Sequence, residues 1–390
     1  MSDSEIKNSQ GRWNQELPDG ELKPTAQPRS ERLLSLDALR GFDMFWIMGG
    51  EGVVHALAVL YGWTWMTWLS GQLKHPLWDG FALYDLIFPL FLFIAGVAMP
   101  YSLGNRLARG DSRSRLHLHV IRRGLLLVLL GAIYNGLLQF DFANQRYPSV
   151  LGRIGLAYLF AGVIFLNTRY RGQAIWLASL LVGYWLAMKF IPNPDYGAGD
   201  LAPGHTLADW VDRQLIPGTL YMKVRDPEGL FSTIPAIGTA LAGALTGQFL
   251  KSKTHGGLAK AGIMFGSGLV FMALAWLWNL DFPINKNLWS SSFVLYCAGL
   301  SLLLLSVFYL VIDVWKFRRW TFFFVVIGSN SILIYMLPEF IDFKYTVEAL
   351  LGGVAFHSRD YGPAIGAIAL VAFHWVFLLV LYRKRIFLRV

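Results

Sequence analysis

Ten apolar segments, each close to the length that crosses a bilayer, decide what this chain can become. They lie near residues 36–58, 82–102, 120–138, 150–167, 173–191, 229–250, 259–280, 289–312, 320–338 and 363–382. A hydrocarbon layer about 30 Å thick takes roughly 20 helical residues. Backbone polar groups at that depth must be satisfied inside the segment, which a helix does by itself. An eleventh stretch, 343–356, is shorter and carries Glu348, so it reads as interfacial or re-entrant. Only 15% of the 390 residues are charged, against about a quarter in soluble proteins. The expected fold is therefore all-α: a polytopic membrane bundle of about ten transmembrane helices spanning residues 32–390. Residues 1–31 are polar, rich in Pro, Ser and Gln, and lack an apolar core. They read as a disordered tail and not as a signal peptide.

The net charge of +9 raises the question of nucleic acid, and its distribution answers it. With the N-terminus in the cytoplasm and ten alternating helices, 24 of the 34 Lys and Arg residues fall on the cytoplasmic side. That is a positive-inside bias, with both termini cytoplasmic and the bundle in the cell inner membrane. The charge is a topology signal and no nucleic-acid partner is expected. Cys297 is the sole cysteine, which excludes an internal disulfide and disfavours a thiolate metal site. His117 and His119 are two apart on a basic segment and point away from each other on a helix. No HExxH, phosphate-binding P-loop or Gly-x-Ser-x-Gly elbow is present, so no metal is expected.

On this topology the unusual polar groups gather on the outer side. His75 and Asp79 stand at the lip of the second span, Glu51 in the outer half of the first, and Arg153 at the opening of the fourth. Asp226 and Glu228 end the long loop 192–228. Asn287 and Trp289 lie in the turn before the eighth span, and Asn330 and Ser331 midway along the ninth, whose outer end carries Glu339. Ionisable groups are costly in and beside hydrocarbon, so such a gathering marks a functional site. A histidine there is suited to moving protons near neutral pH. Either an enzyme or a solute transporter would use such a lining. Acids near the outer edge and not at the midplane favour the enzyme.

Six blocks carry a resemblance: RLLSLDALRGFDMFWIM (32–48), KHPLWDGFALYDLIFPLFLFIAG (74–96), LGRIGLAYLF (151–160), DPEGLFSTIPAIG (226–238), NKNLWSSSF (285–293) and GSNSILIYMLPEF (328–340). In content and order they resemble the heparan-α-glucosaminide N-acetyltransferase family of membrane acyltransferases, in its shorter bacterial form. The resemblance implies transfer of acetyl from cytoplasmic acetyl-CoA, as co-substrate, to the amine of a glucosamine-type sugar at the outer side. It places the catalytic histidine at His75, acting as general base or as acetyl carrier. An asparagine that the family uses to hold the donor aligns with Glu51, a departure that suggests a base or orienter at that position. Asp79 is expected to orient the imidazole. Arg40, Arg123, Arg153, Asn287, Asn330 and Ser331 are assigned to the donor. Trp78, Trp289, Asp226, Glu228 and Glu339 are assigned to the acceptor sugar. A homodimer is expected. The other readings are a carrier for a sugar or cell-wall fragment and an O-acetyltransferase acting on envelope polysaccharide.

Overall fold

In a computed structural model of the chain, residues 33–388 are described; the tail expected at 1–31 lies outside them. The described residues form helices and no strands. Among the described residues, nine helices are long and apolar enough to span a membrane: α1 (Leu34–Tyr61), α2 (Leu83–Ala108), α3 (Arg113–Tyr134), α4 (Val150–Asn167), α5 (Tyr170–Phe190), α6 (Thr233–Lys251), α7 (Gly257–Trp278), α8 (Ser291–Val314) and, closing the bundle, α10 (Arg359–Arg383). The ninth segment, α9, is a bent pair, Thr321–Ser329 and Ser331–Phe340, with a 64° angle between its halves. The protein is thus a polytopic helical membrane bundle, with ten spans when α9 is counted as one. The stretch after α9 forms a separate 15-residue helix, Phe343–His357.

The centre of the bundle is the α2–α6 pair, the two most buried spans. Their backbones meet at glycines: a Cβ on Gly96 would lie 2.0 Å from the Ala240 carbonyl, and one on Gly243 2.1 Å from that of Phe93. Lipid supplies no hydrophobic drive between helices, so close backbone packing of this kind is what holds membrane helices together. The α1–α9 contact is built the same way. A Cβ on Gly41 would sit 1.7 Å from the Phe324 carbonyl.

Two spans are broken, and sequence periodicity showed neither break. In α1 the helix widens over Trp46–Gly50, where Gly49 adopts φ 124°, open to glycine at little cost. The Met48 carbonyl accepts from the buried His374 ring of α10 (Nδ1, 2.9 Å). In α9 the chain turns at Asn330 (φ −132°, ψ 40°). Irregular backbone at membrane depth is tolerated where it is buried or lines a cavity, and both breaks flank the same line of cavities.

Candidate active site

Residues Lys74–Ala82 form a loop, and Leu83–Leu86 a single 3₁₀ turn that leads into α2. Asp85 closes that turn by accepting the Ala82 N–H (3.0 Å). Its other oxygen faces His75, with Nδ1 2.6 Å away. The Asp85 side chain is 1% exposed and that of His75 47%, so a dry carboxylate fixes an imidazole whose far nitrogen can be approached. Bonding to a carboxylate selects the Nδ1–H tautomer and leaves the Nε2 lone pair as a base.

The third member comes from a distant loop. Gly80 pairs with Asn285 in a short parallel bridge, and the buried Asn285 amide donates to Asp79 (3.0 Å). This staple brings Lys286 Nζ within 3.0 and 3.1 Å of the two His75 ring nitrogens and 3.5 Å of Asp85. The Lys286 nitrogen is thus nearly equidistant from both ring nitrogens. Burial pulls the Lys286 pKa below its ordinary value, with Asp85 and Glu228 opposing the shift. Asp79, expected to orient His75, therefore does another task. It joins the two loops, and Asp85 is the carboxylate on the imidazole.

His75, Asp85 and Lys286 line a cavity of about 530 Å³, together with Trp78, Tyr84, Arg146, Glu228 and Asn287. Arg146 binds Asp226 through two bonds (2.8 and 2.7 Å) and also pairs with Glu228. Burial would raise the Asp226 pKa, but the Arg146 guanidinium holds it below the usual carboxylate range. Asp226 is thus spent on Arg146, whereas Glu228 reaches the cavity. Arg225 lies over the Trp78 ring (4.5 Å) and donates to Asn287 (3.1 Å), so Asn287 lines this cavity, apart from Arg40 and Arg123. The Glu51 carboxylate meets the Tyr84 hydroxyl, and the Tyr84 ring stands 4.9 Å from His75. Glu51 is thus linked to His75 through the tyrosine and not directly.

Three other expectations are corrected. Trp289 is 1% exposed and donates to Thr239, so it packs the core and offers no face to a sugar. Arg153 lies beneath it, its guanidinium 4.8 Å from the indole and bonded to Ser232 and the Gly229 carbonyl. It fixes the start of α6 and does not line the His75 cavity. Glu339 is exposed beyond the cavity.

A second cavity, of about 330 Å³, is lined by Arg40, Arg123, Tyr158, Ser329, Ser331 and Leu388, among others. Arg123 stacks on Tyr158 (4.4 Å), and its buried Nε has no partner among the described residues. Asn330 serves this cavity indirectly. Its side chain donates to the Ile386 carbonyl and accepts from the Leu388 N–H (both 2.9 Å), holding the segment after α10 as one wall. Between the two cavities lies a narrow apolar space of about 40 Å³. It shares Ile47, Ile87, Phe88, Val150 and Tyr335 with the His75 cavity, and Phe91, Leu151, Ile154, Ser331 and Ile332 with the arginine cavity. The three spaces stand end to end. Ile47 precedes the Gly49 break, and Ser331, Ile332 and Tyr335 follow the Asn330 bend, so the broken helices shape the neck. No cluster of His, Cys, Asp or Glu among the described residues could hold a metal.

The loop bearing Glu228 is fixed by Asp212, which accepts the N–H groups of Leu230 and Phe231 (2.9 and 3.1 Å). Burial pushes the Asp212 pKa from 3.8 up to about 7. The native state thus keeps a proton that the unfolded chain gives up. The resulting stability is complete below about pH 4 and is lost as pH rises through about 7. Asp212→Asn should flatten this dependence. Melting temperatures in detergent between pH 5 and 8 check it, and an unchanged slope in the variant would assign the dependence elsewhere.

Comparison with known proteins bears on the whole arrangement. Residues 32–138, which include Arg40, Glu51, His75, Asp85 and Arg123, match a family model described as "Domain of unknown function (DUF5009)". Human heparan-alpha-glucosaminide N-acetyltransferase is 30% identical over 95% of this chain and 62% of its own length. The mouse protein of the same name is 30% identical over 95% of this chain and 63% of its own. The chain thus spans about three fifths of the length of these relatives. The similarity runs along nearly all of this chain and takes in the six sequence blocks that carried the resemblance.

Proposed function

We propose that the protein is a membrane-embedded N-acetyltransferase of the cell inner membrane. It moves acetyl from acetyl-CoA on the cytoplasmic side to the amine of a glucosamine-type sugar on the other. The observation that carries this reading is the line of cavities from Arg40 and Arg123, through an apolar neck, to the Asp85–His75–Lys286 cluster. Arginines at one end suit the phosphates of the nucleotide. The neck suits the slender pantetheine arm, and its end delivers a thioester to a base. A carrier for polar solutes would need polar partners along the neck, where only Ser331 and Tyr335 bring polar side-chain atoms.

The chemistry follows from the placement. Glu228 faces the acceptor's ammonium from across the cavity. Once the amine is neutral, its lone pair attacks the thioester carbonyl, and His75 Nε2 takes the proton it sheds. The charge developing on the carbonyl oxygen meets the Lys286 ammonium. Collapse breaks the C–S bond, and the departing thiolate takes the proton back from His75. Amide and free CoA thiol are the products, and Asp85 holds one tautomer throughout.

Arg123→Gln tests the donor end. A lost charge-assisted bond to a phosphate is worth about 1.5–3 kcal/mol, so the KM for acetyl-CoA should rise roughly tenfold to a hundredfold. The KM for glucosamine should stay unchanged, with CoA thiol release as the readout. An unaltered KM for acetyl-CoA would remove the nucleotide from this cavity.

A further inference from the structure

The cluster contains a primary amine of its own. Lys286 Nζ lies 3.0 Å from His75 Nε2, a hydrogen-bond distance from the atom that must deprotonate the acceptor. It belongs to the same chemical class as that acceptor and lines the same cavity. We infer that Lys286 is a self-acetylation site: without a sugar in the cavity, the protein transfers an acetyl group from acetyl-CoA to its own Lys286 and thereby inactivates itself. The inference rests on the function proposed above.

The amine and the base come from the cluster, and acetyl-CoA is the one co-reactant. The neutral Nζ lone pair attacks the thioester carbonyl, and the N–C bond forms as the C–S bond breaks. The Nζ proton passes to His75 Nε2 and from there to the CoA thiolate. One acetyl-CoA is consumed, and one CoA thiol and one Nε-acetyl-lysine are formed. The ammonium must first lose a proton to solvent through the half-exposed cavity mouth, and its burial favours that loss. Asp85, 3.5 Å away, favours the ammonium and so slows the side reaction without forbidding it. An amide nitrogen is neither basic nor a good leaving group, so the modified lysine cannot pass the acetyl on. It also no longer offers a cation to Asp85 or to a developing oxyanion. An acceptor near Glu228 would compete for the thioester, so the sugar protects the enzyme. The arrangement amounts to a switch that turns the enzyme off when donor is plentiful and acceptor is absent.

The test incubates the purified full-length protein with acetyl-CoA alone and follows intact mass and residual activity. The added acetyl is then placed by peptide mass spectrometry. Lys344, whose side chain is 76% exposed, serves as the internal measure of uncatalysed acetylation. The expected result is close to one acetyl per chain at Lys286, far ahead of Lys344, with activity lost in step and glucosamine suppressing both. His75→Ala should slow Lys286 acetylation at least tenfold, and Lys286→Arg should abolish it. Acetylation of Lys344 as fast as Lys286, or an unmodified Lys286 in a preparation that acetylates glucosamine, overturns the inference and leaves the proposed function standing. A preparation that acetylates neither Lys286 nor glucosamine overturns both.

Discussion

His75→Ala should fold, bind CoA and transfer almost no acetyl to glucosamine. On the proposed mechanism the imidazole is the one group placed to take the amine's proton, and loss of a general base typically lowers the rate by about 10²–10⁴. Little else depends on the ring. It is half exposed, and its contacts are to Asp85, Lys286 and Tyr84, so truncation opens no buried void. The result is read as acetylated sugar formed per enzyme, beside a thermal melt and CoA binding. His117→Ala is the control, since that ring bonds a backbone carbonyl and Asn167, away from the cavity. A folded His75→Ala protein within a few-fold of wild-type turnover would remove the base from the mechanism.

Asp85→Asn should cost nearly as much, for a different reason. The asparagine can turn its NH₂ toward Nδ1, which makes Nδ1 an acceptor and moves the ring proton to Nε2. The base is then in place with its lone pair on the wrong side. Lys286 also loses the carboxylate that holds it. We expect a fall of roughly 10²-fold or more in kcat, within the range for a disabled general base, with little change in the KM for acetyl-CoA. Asp79→Asn separates this role from mere loop fixing. Asp79 touches Asn285 and not His75, and an amide there can still bond an amide, so turnover should fall by a few-fold at most. Equal losses in the two variants would mean that both carboxylates only support the loops.

The spans were legible because apolar runs of membrane length have one physical solution, and most ends match the structure to within about four residues. The end of α2 and the start of α3 run about six and seven residues further, through basic turns that an apolar run does not include. His75 was legible because a titratable ring at the lip of a span has few other reasons to be there. The error at Asp79 arose from counting four residues along as if on a helix. Lys74–Ala82 is a loop, and the 3₁₀ turn after it swings Asp85 back, ten positions along. Asp85 itself was hidden inside an apolar run, where it looked like part of the span.

Lys286 looked like an ordinary turn residue, because only the pairing of Gly80 with Asn285 shows which loop it faces. Trp289 illustrates the opposite failure. Aromatic residues at a span's end are commonly interfacial, yet its left-handed backbone (φ 48°) turns the ring inward over Arg153. Arg40 and Arg123 are both assigned to the donor in the sequence. The structure brings the two into one cavity across 83 positions of sequence, which no local pattern could show.

The central claim is that donor and acceptor reach His75 from opposite sides of the membrane. It is tested most directly in proteoliposomes of determined orientation, with acetyl-CoA enclosed on one side and glucosamine supplied on the other. The account predicts acetylated glucosamine only when acetyl-CoA is on the face bearing Arg40 and Arg123 and the sugar is on the face bearing His75. Arg123→Gln should weaken that signal, and His75→Ala should abolish it. Product formed only when both substrates share one side would contradict it.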